Sequence, residues 1–285
     1  MRAHKQSRRH ILQLAGVGAA ASLVGACDSM GQPRRSGASR KKELPFKLGL
    51  ASYTLRKFNL EDTLAMTNKV GLKYICFKSM HLELDSTPDQ IAATVAKVKE
   101  AGLTLYGGGV ISMKNEGQVN QAFDYAQAAG MKVAIAAPSP EMLPLIDKKV
   151  RQYDIKVAIH NHGPGDKFFP TPAVALKHIK NLDKRIGMCH DIGHTKRYGD
   201  DPIAETVLCG ERLHDVHIKD VSEATKKGHC VEMGRGVIDI PAFIRVLVKI
   251  KYDGIVSFEY EKDADDPLAG LAESVGYVRG VMATV

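Results

Sequence analysis

Four short segments in the second half of this 285-residue chain close apolar runs with side chains that can bind a metal or move a proton. They read Ile159-His160-Asn161-His162, Cys189-His190-Asp191-Ile192-Gly193-His194, Val216-His217-Ile218-Lys219-Asp220 and Ser257-Phe258-Glu259-Tyr260-Glu261. Imidazoles and carboxylates that converge from separate strands suit a divalent cation, with Mn2+, Mg2+, Zn2+ and Fe2+ not distinguished. Taken singly, each group has a plainer reading. His162, His190, His194 and His214 could cap strands or bond loop backbone, and Glu261, Asp263, Asp265 and Asp266 read as a solvated loop. Their joint occurrence at equivalent positions is what points to a site.

Those segments need a scaffold that brings strand ends together. From residue 45 onward, apolar or β-branched runs alternate with stretches of helical period. The runs begin near Lys47, Lys73, Leu103, Met131, Ile155, Arg185, Arg212 and Gly254. Seven are nearly continuous apolar sequence, as parallel strands covered on their outer face require. Helices are expected over Leu60–Val70, Thr87–Glu100, Gly117–Ala129, Pro241–Ile250 and Leu268–Val281. Thr87-Pro88 opens one of them, and Gly71, Gly102 and Gly130 each close one just before a strand. An extra loop, about Val221–Asp239, precedes the last strand. Eight such units predict a single (β/α)8 TIM barrel over 45–285, with catalytic groups at the C-terminal strand ends. An open doubly wound sheet fits less well, because no GxGxxG turn follows the first strand. Lys78 and His81 end the second strand and Lys219 the seventh. A lysine at a barrel mouth can stabilise an oxyanion or, with a lowered pKa, act as base. The alternative for each is a surface lysine paired with Glu83 or Asp220.

The net charge of +8 lies in the first 42 residues, which hold nine of the 40 Lys/Arg and one of the 32 Asp/Glu. The remainder is neutral, so no nucleic-acid partner is expected. Arg8-Arg9 ahead of the apolar run Ile11–Ala26 resembles a twin-arginine export signal, with Ile11 where Phe is usual. That run is short for crossing a bilayer, so residues 1–26 read as a signal peptide. Leu23-Val24-Gly25-Ala26-Cys27 resembles a lipobox, with Cys27 the lipidation site; an incidental small-residue cleavage site is the alternative. Residues 27–44 read as a flexible tether. The expected location is the periplasm or, through a lipid anchor, the membrane surface of a bacterial envelope. Cys76 and Cys189 lie in apolar strands and are expected as buried thiols, with no disulfide framework.

Residues 47–282 resemble the xylose-isomerase-like barrels, a group of sugar isomerases, ketose 3-epimerases, inosose dehydratases and apurinic-site endonucleases. The resemblance rests on Ile159-His160-Asn161-His162-Gly163, Asp191-Ile192-Gly193-His194, His217-Ile218-Lys219-Asp220, Gly234-Arg235-Gly236-Val237-Ile238-Asp239 and Phe258-Glu259-Tyr260-Glu261. It implies one divalent ion held by carboxylates on strands 5 and 8, an Asp on strand 6 and a His on strand 7. Asp191, His217 and Glu259 match, while His160 stands where a Glu is expected. The implied ligand set is therefore His160, Asp191, His217 and Glu259, one negative charge poorer than the family pattern. Glu141, after the fourth strand, is a candidate replacement carboxylate.

The chemistry the resemblance implies is proton abstraction beside a carbonyl, with Glu259, Lys78, Lys219 and Glu141 as candidate catalytic groups. Tyr53, His81, His162, His194 and Arg235 are candidate substrate contacts. Export favours unphosphorylated sugars or keto-sugars, since sugar phosphates are largely cytoplasmic. A sugar isomerase or epimerase is the first expectation. A lyase or hydratase acting by β-elimination on a 3-keto-glycoside is the second, because elimination needs one base. A non-catalytic sugar-binding lipoprotein is the third, and a nuclease ranks last. A homodimer is the one assembly considered.

Overall fold

The computed structural model describes residues 44–285. The expected signal peptide, Cys27 and the tether up to residue 43 lie outside those residues. Eight parallel strands close into a barrel, hydrogen-bonded in the order β1 (Lys47–Ala51), β10 (Ile255–Phe258), β7 (Leu213–Ile218), β6 (Ile186–Asp191), β5 (Lys156–His160), β4 (Val133–Pro138), β3 (Thr104–Met113) and β2 (Tyr74–Phe77). Each begins within two residues of its expected start. The remaining strands, β8 (Asp220–Val221) and β9 (Cys230–Val231), form an antiparallel pair inside the expected extra loop.

Helices cover the outside of the barrel. They are α1 (Leu60–Lys69), α2 (Pro88–Glu100), α3 (Glu116–Ala128), α4 (Leu143–Tyr153), α5 (Pro172–Ile179), α6 (Ile192–Tyr198), α7 (Pro202–Cys209), α8 (Ile240–Lys249) and α9 (Leu268–Met282). Local sequence sets their ends. Thr87 caps α2 in a reciprocal box with Gln90, and Asp239 caps α8 through the Ala242 N–H. Gly71 and Gly102 adopt positive φ just past α1 and α2, where a side chain would be strained.

The strand faces divide the core. Ile75, Phe77, Ile159, Met188, Val216 and Phe258 point outward into the main apolar cluster under the helices. The opposite phase holds a smaller cluster that includes Cys76, Tyr106, Ile135, Ala158 and Cys189. Period two carries this inner phase upward from Ala158 to His160, from Asp215 to His217 and Lys219, and from Ser257 to Glu259. The polar groups of the later strands therefore rise on a packed floor to the C-terminal mouth.

Candidate active site

Each late strand ends by placing one side chain over that floor. β5 stops at His160, and Asn161 then ties it to its neighbour. The Asn161 Nδ2 donates to the Asp191 carbonyl (3.1 Å) and to Thr195 Oγ1 (3.0 Å), while its Oδ1 accepts the Asp191 N–H (3.0 Å). Strand 6 ends earlier than its sequence suggests, at Asp191, because Ile192 already begins α6. Asp191 is thus strand end and helix cap together. Its Oδ1 accepts the His194 N–H at 2.8 Å, which leaves Oδ2 facing the mouth.

Four donor atoms, one each from His160, Asp191, His217 and Glu259, lie within 4.8 Å of one another, and all four residues are buried. The His160 Nε2 is 3.1 Å from His217 Nδ1, 3.6 Å from Asp191 Oδ2 and 3.9 Å from Glu259 Oε2. The His217 Nδ1 is 3.4 Å from Glu259 Oε2. Donors bound at about 2.1 Å around a tetrahedral ion stand about 3.4 Å apart, so these spacings fit one small divalent cation. The Asp191 Oδ2, fully buried, accepts no well-directed hydrogen bond, although a cation lies beside it. A set of two imidazoles and two carboxylates suits Zn2+, Mn2+ or Fe2+ chemistry.

That neighbouring cation is Lys219. Its Nζ is 2.9 Å from Asp191 Oδ2 and 2.9 Å from Glu259 Oε2, and it also contacts Glu261. It is not a surface lysine paired with Asp220, since only 2% of it is exposed. Its stem lies flat on Gly193, where a β-carbon would come within 2.8 Å of Lys219 Cγ. Burial disfavours the ammonium, but Asp191, Glu259 and Glu261 outweigh it and hold the pKa well above the usual lysine range. Burial likewise pushes the two ligand carboxylates up, yet both stay well below the ordinary range. His194 and Lys219 offset it at Asp191, and Lys219 and His217 at Glu259. Burial takes His160 down to about 3, so it is neutral and available as a ligand. At His217 burial acts the same way but loses to Glu259, and the pKa rises.

The other expected residues fall into two groups. Lys78, His162, His194 and Tyr53 line the mouth with His160 and Glu259 around a chamber of about 340 Å3. Lys78 Nζ donates to the Val110 carbonyl at 2.7 Å, and burial lowers its pKa. His162 reaches Asp166 at 3.4 Å. His81, Glu141 and Arg235 do not line this chamber. His81 is buried between Ser52 (2.8 Å) and Thr63 (2.9 Å), where it joins the β1 end to α1. Glu141 is solvated in the turn before α4, and Arg235 forms a two-pronged pair with Glu273 of α9. Glu261, read from sequence as a solvated loop residue, instead reaches inward to Lys219.

Further groups support the site, and Tyr106, Asp215 and Ser257 among them were not singled out in the sequence. Beneath the ligands, Tyr106 Oη lies 3.2 Å from Asp215 Oδ1 and 2.6 Å from Ser257 Oγ. Burial raises Asp215 to about 7. Cys189 is a buried thiol, as expected, but it also comes near His160 and His217 as a third potential donor. Asp220 organises the long loop by accepting the N–H groups of Val221, Gly234, Gly236 and Ile238. The inward phase of β7, Asp215-x-His217-x-Lys219, was the available signal for Asp215. Asn161 was visible only as part of a motif.

Comparison with known proteins agrees with this architecture. None of the curated proteins matches the sequence. Among solved structures, a protein of Parabacteroides distasonis is 25% identical, with a TM-score of 0.67 over 83% of this chain and 99% of its own. An L-ribulose 3-epimerase superposes with a TM-score of 0.68 at 17% identity, over 84% of this chain and 95% of its own. The IolI protein, solved with a zinc atom, gives 0.70 at 17% identity, over 84% and 99%. These last two likenesses are of fold. Residues 65–281, most of the barrel, match the xylose isomerase-like TIM barrel family, and the chain belongs to it.

Proposed function

We propose that this protein is a metal-assisted enzyme that removes a proton next to the carbonyl of an unphosphorylated sugar or keto-sugar. The observation that carries the reading is the closure of His160, Asp191, His217 and Glu259 at the C-terminal mouth of the barrel. When bound there, a divalent cation would polarise the carbonyl and stabilise negative charge developing on its oxygen. Lys78 is the proposed proton acceptor. It faces the chamber, is held by one hydrogen bond, and has a pKa lowered by burial. Lys219 stays charged and keeps the two ligand carboxylates in place. Tyr53, His162 and His194 surround the sugar hydroxyls. That one solved relative is an L-ribulose 3-epimerase supports sugar as the substrate class.

His160 favours a second reading within this chemistry. A two-base epimerisation needs an acceptor on each face of the substrate, and the strand 5 carboxylate is absent. Elimination needs one acceptor. From a 3-keto-glycoside, the proton at C2 passes to Lys78, its electron pair forms the C1–C2 double bond, and the aglycone oxygen leaves and takes up a proton. Export through the Arg8-Arg9 segment, with lipid on Cys27, belongs to the same proposal. It would place the enzyme among free sugars and glycosides.

Incubation with a 3-keto-glucoside in deuterated water separates the readings. Aglycone release identifies a lyase; deuterium uptake with the glycosidic bond intact identifies an isomerase or epimerase. Neither event in metal-loaded protein, or activity unchanged by both chelation and Glu259→Gln, would refute metal-assisted proton abstraction.

A further inference from the structure

The mouth of the barrel is two joined chambers, and the proposed reaction uses one of them. The inner chamber, about 340 Å3, lies beside Glu259 and Glu261 and is already within the range of roughly 300–1,000 Å3 for small-ligand sites. Lys78, Val110, His160 and His162 also border an outer chamber of about 720 Å3, which extends over the ends of β3, β4 and β5. A single sugar at the ligand set would leave this larger space unfilled.

The two chambers differ in charge. Glu259 and Glu261 line the inner one. Lys78, Lys114 and Lys167 line the outer one, with Asp166 as its one carboxylate. Asp166 is committed elsewhere: its Oδ1 accepts the N–H groups of Phe168 (2.9 Å) and Phe169 (3.1 Å), and its Oδ2 lies 3.4 Å from His162. None of the three lysines forms a salt bridge among the described residues. Glu141, the carboxylate near Lys167, is solvated and bonded to Ser139. Phe168, half-buried, adds a ring face beneath the Lys167 ammonium, 5.5 Å from the ring centroid. The outer chamber therefore combines lysines outside any salt bridge, room for a second unit and an apolar platform.

We infer that the substrate is larger than a monosaccharide, and that its second unit carries a carboxylate received in the outer chamber by Lys114 and Lys167. This rests on the proposed function, which puts the reacting sugar in the inner chamber. Lys114 and Lys167 are exposed, so the attraction is modest and sensitive to salt.

The test is calorimetric binding of cellobiose and of cellobionate, its carboxylate-ended counterpart, to Mn2+-loaded protein. Cellobionate is expected to bind about tenfold more tightly at low salt and to lose most of that advantage at about 0.5 M NaCl. In the Lys114→Glu/Lys167→Glu double variant, checked for folding by circular dichroism, the advantage should vanish. Equal affinity of the two sugars for the unaltered protein, or a preference that survives in the double variant, overturns the inference. Solvent deuterium exchange into monosaccharide keto-sugars, followed in parallel, separates the two proposals. Exchange without disaccharide binding overturns the outer-chamber assignment alone. A salt-sensitive cellobionate preference without exchange into any keto-sugar supports the chamber and overturns the proposed reaction.

Discussion

Replacing Lys219 by Met tests whether the site is built around a cation. Lys219 is buried, with its Nζ 2.9 Å from both Asp191 Oδ2 and Glu259 Oε2 and in contact with Glu261. Methionine keeps the length of the stem over Gly193 but leaves buried carboxylates without their ammonium. Breaking a buried ion pair by removing one partner costs about 3–5 kcal/mol. For a domain of this size each kcal/mol moves the melting temperature by roughly 2–4 °C, so metal-free K219M should melt roughly 6–20 °C below the unaltered protein. A divalent ion would restore the missing charge. It would also escape repulsion by the ammonium, worth up to several kcal/mol at close range, so its affinity should rise at least about tenfold. Scanning calorimetry with chelator and with Mn2+ or Zn2+ reads both effects. The expected result is a low melting temperature in chelator and a metal-induced rise larger than in the unaltered protein. A variant as stable as the unaltered protein in chelator, or one that gains no more from metal, would falsify the counter-ion role of Lys219.

His160→Glu restores the carboxylate of the family pattern. It should tighten Mg2+ and Mn2+ relative to Zn2+, read by competition titration, because it replaces an imidazole by a harder donor. Gly193→Ala puts a β-carbon within 2.8 Å of the Lys219 stem, so it should lower stability by about 1–3 kcal/mol, measured by urea unfolding. Asp220→Ala strips the acceptor from four backbone N–H groups and should increase proteolysis within 221–239 before the barrel itself unfolds. His214, half-buried with its Nε2 2.8 Å from the Lys184 carbonyl, has its pKa pushed down to about 4 because burial disfavours its charged form. Its folded pKa is thus below the unfolded value of about 6.5, so the unfolded chain binds more protons between those pH values. Stability from this group is present above about pH 6.5 and lost as pH falls toward 4. His214→Gln should flatten that slope in urea titrations at pH 7 and pH 5.

The fold was legible because its signals are local. Apolar strands of period two, capped helices and the glycines Gly71 and Gly102 mark element ends without reference to the rest of the chain. The clustering of His160, Asp191, His217 and Glu259 was legible for a related reason: a barrel turns equivalent strand ends into neighbours in space. The groups misplaced in sequence are those whose environment depends on distant packing. Glu141 and Glu261 are both glutamates just past strands, yet one is solvated while the other bends inward to Lys219. His81 and His162 are both histidines after strands, yet His81 is occupied by Ser52 and Thr63 while His162 lines the mouth. Residue type and spacing do not encode which loop folds over a strand end. Lys219 shows the same limit from the other side, since its burial depends on Gly193, a residue contributed by the neighbouring strand's connection.

His160 and Lys219 together set the electrostatics of the centre. With His160 neutral, the four ligands carry two negative charges, and Lys219 already sits against both of them. A glutamate at position 160 would give a divalent ion a surplus carboxylate with which to take a proton. Here Asp191 is half committed to capping α6, Glu259 is shared with Lys219 and His217, and Glu261, the other carboxylate of the inner chamber, is paired with Lys219. In the proposed reaction the proton would then go to a group outside the ligand set. Lys78 fits that role, since it alone among the lysines of the mouth faces both chambers and has its pKa lowered by burial. A single acceptor placed where the two chambers join is poorly suited to returning the proton to the opposite face. It would suit cleavage of a bond between the sugar proposed for the inner chamber and the substituent proposed for the outer one.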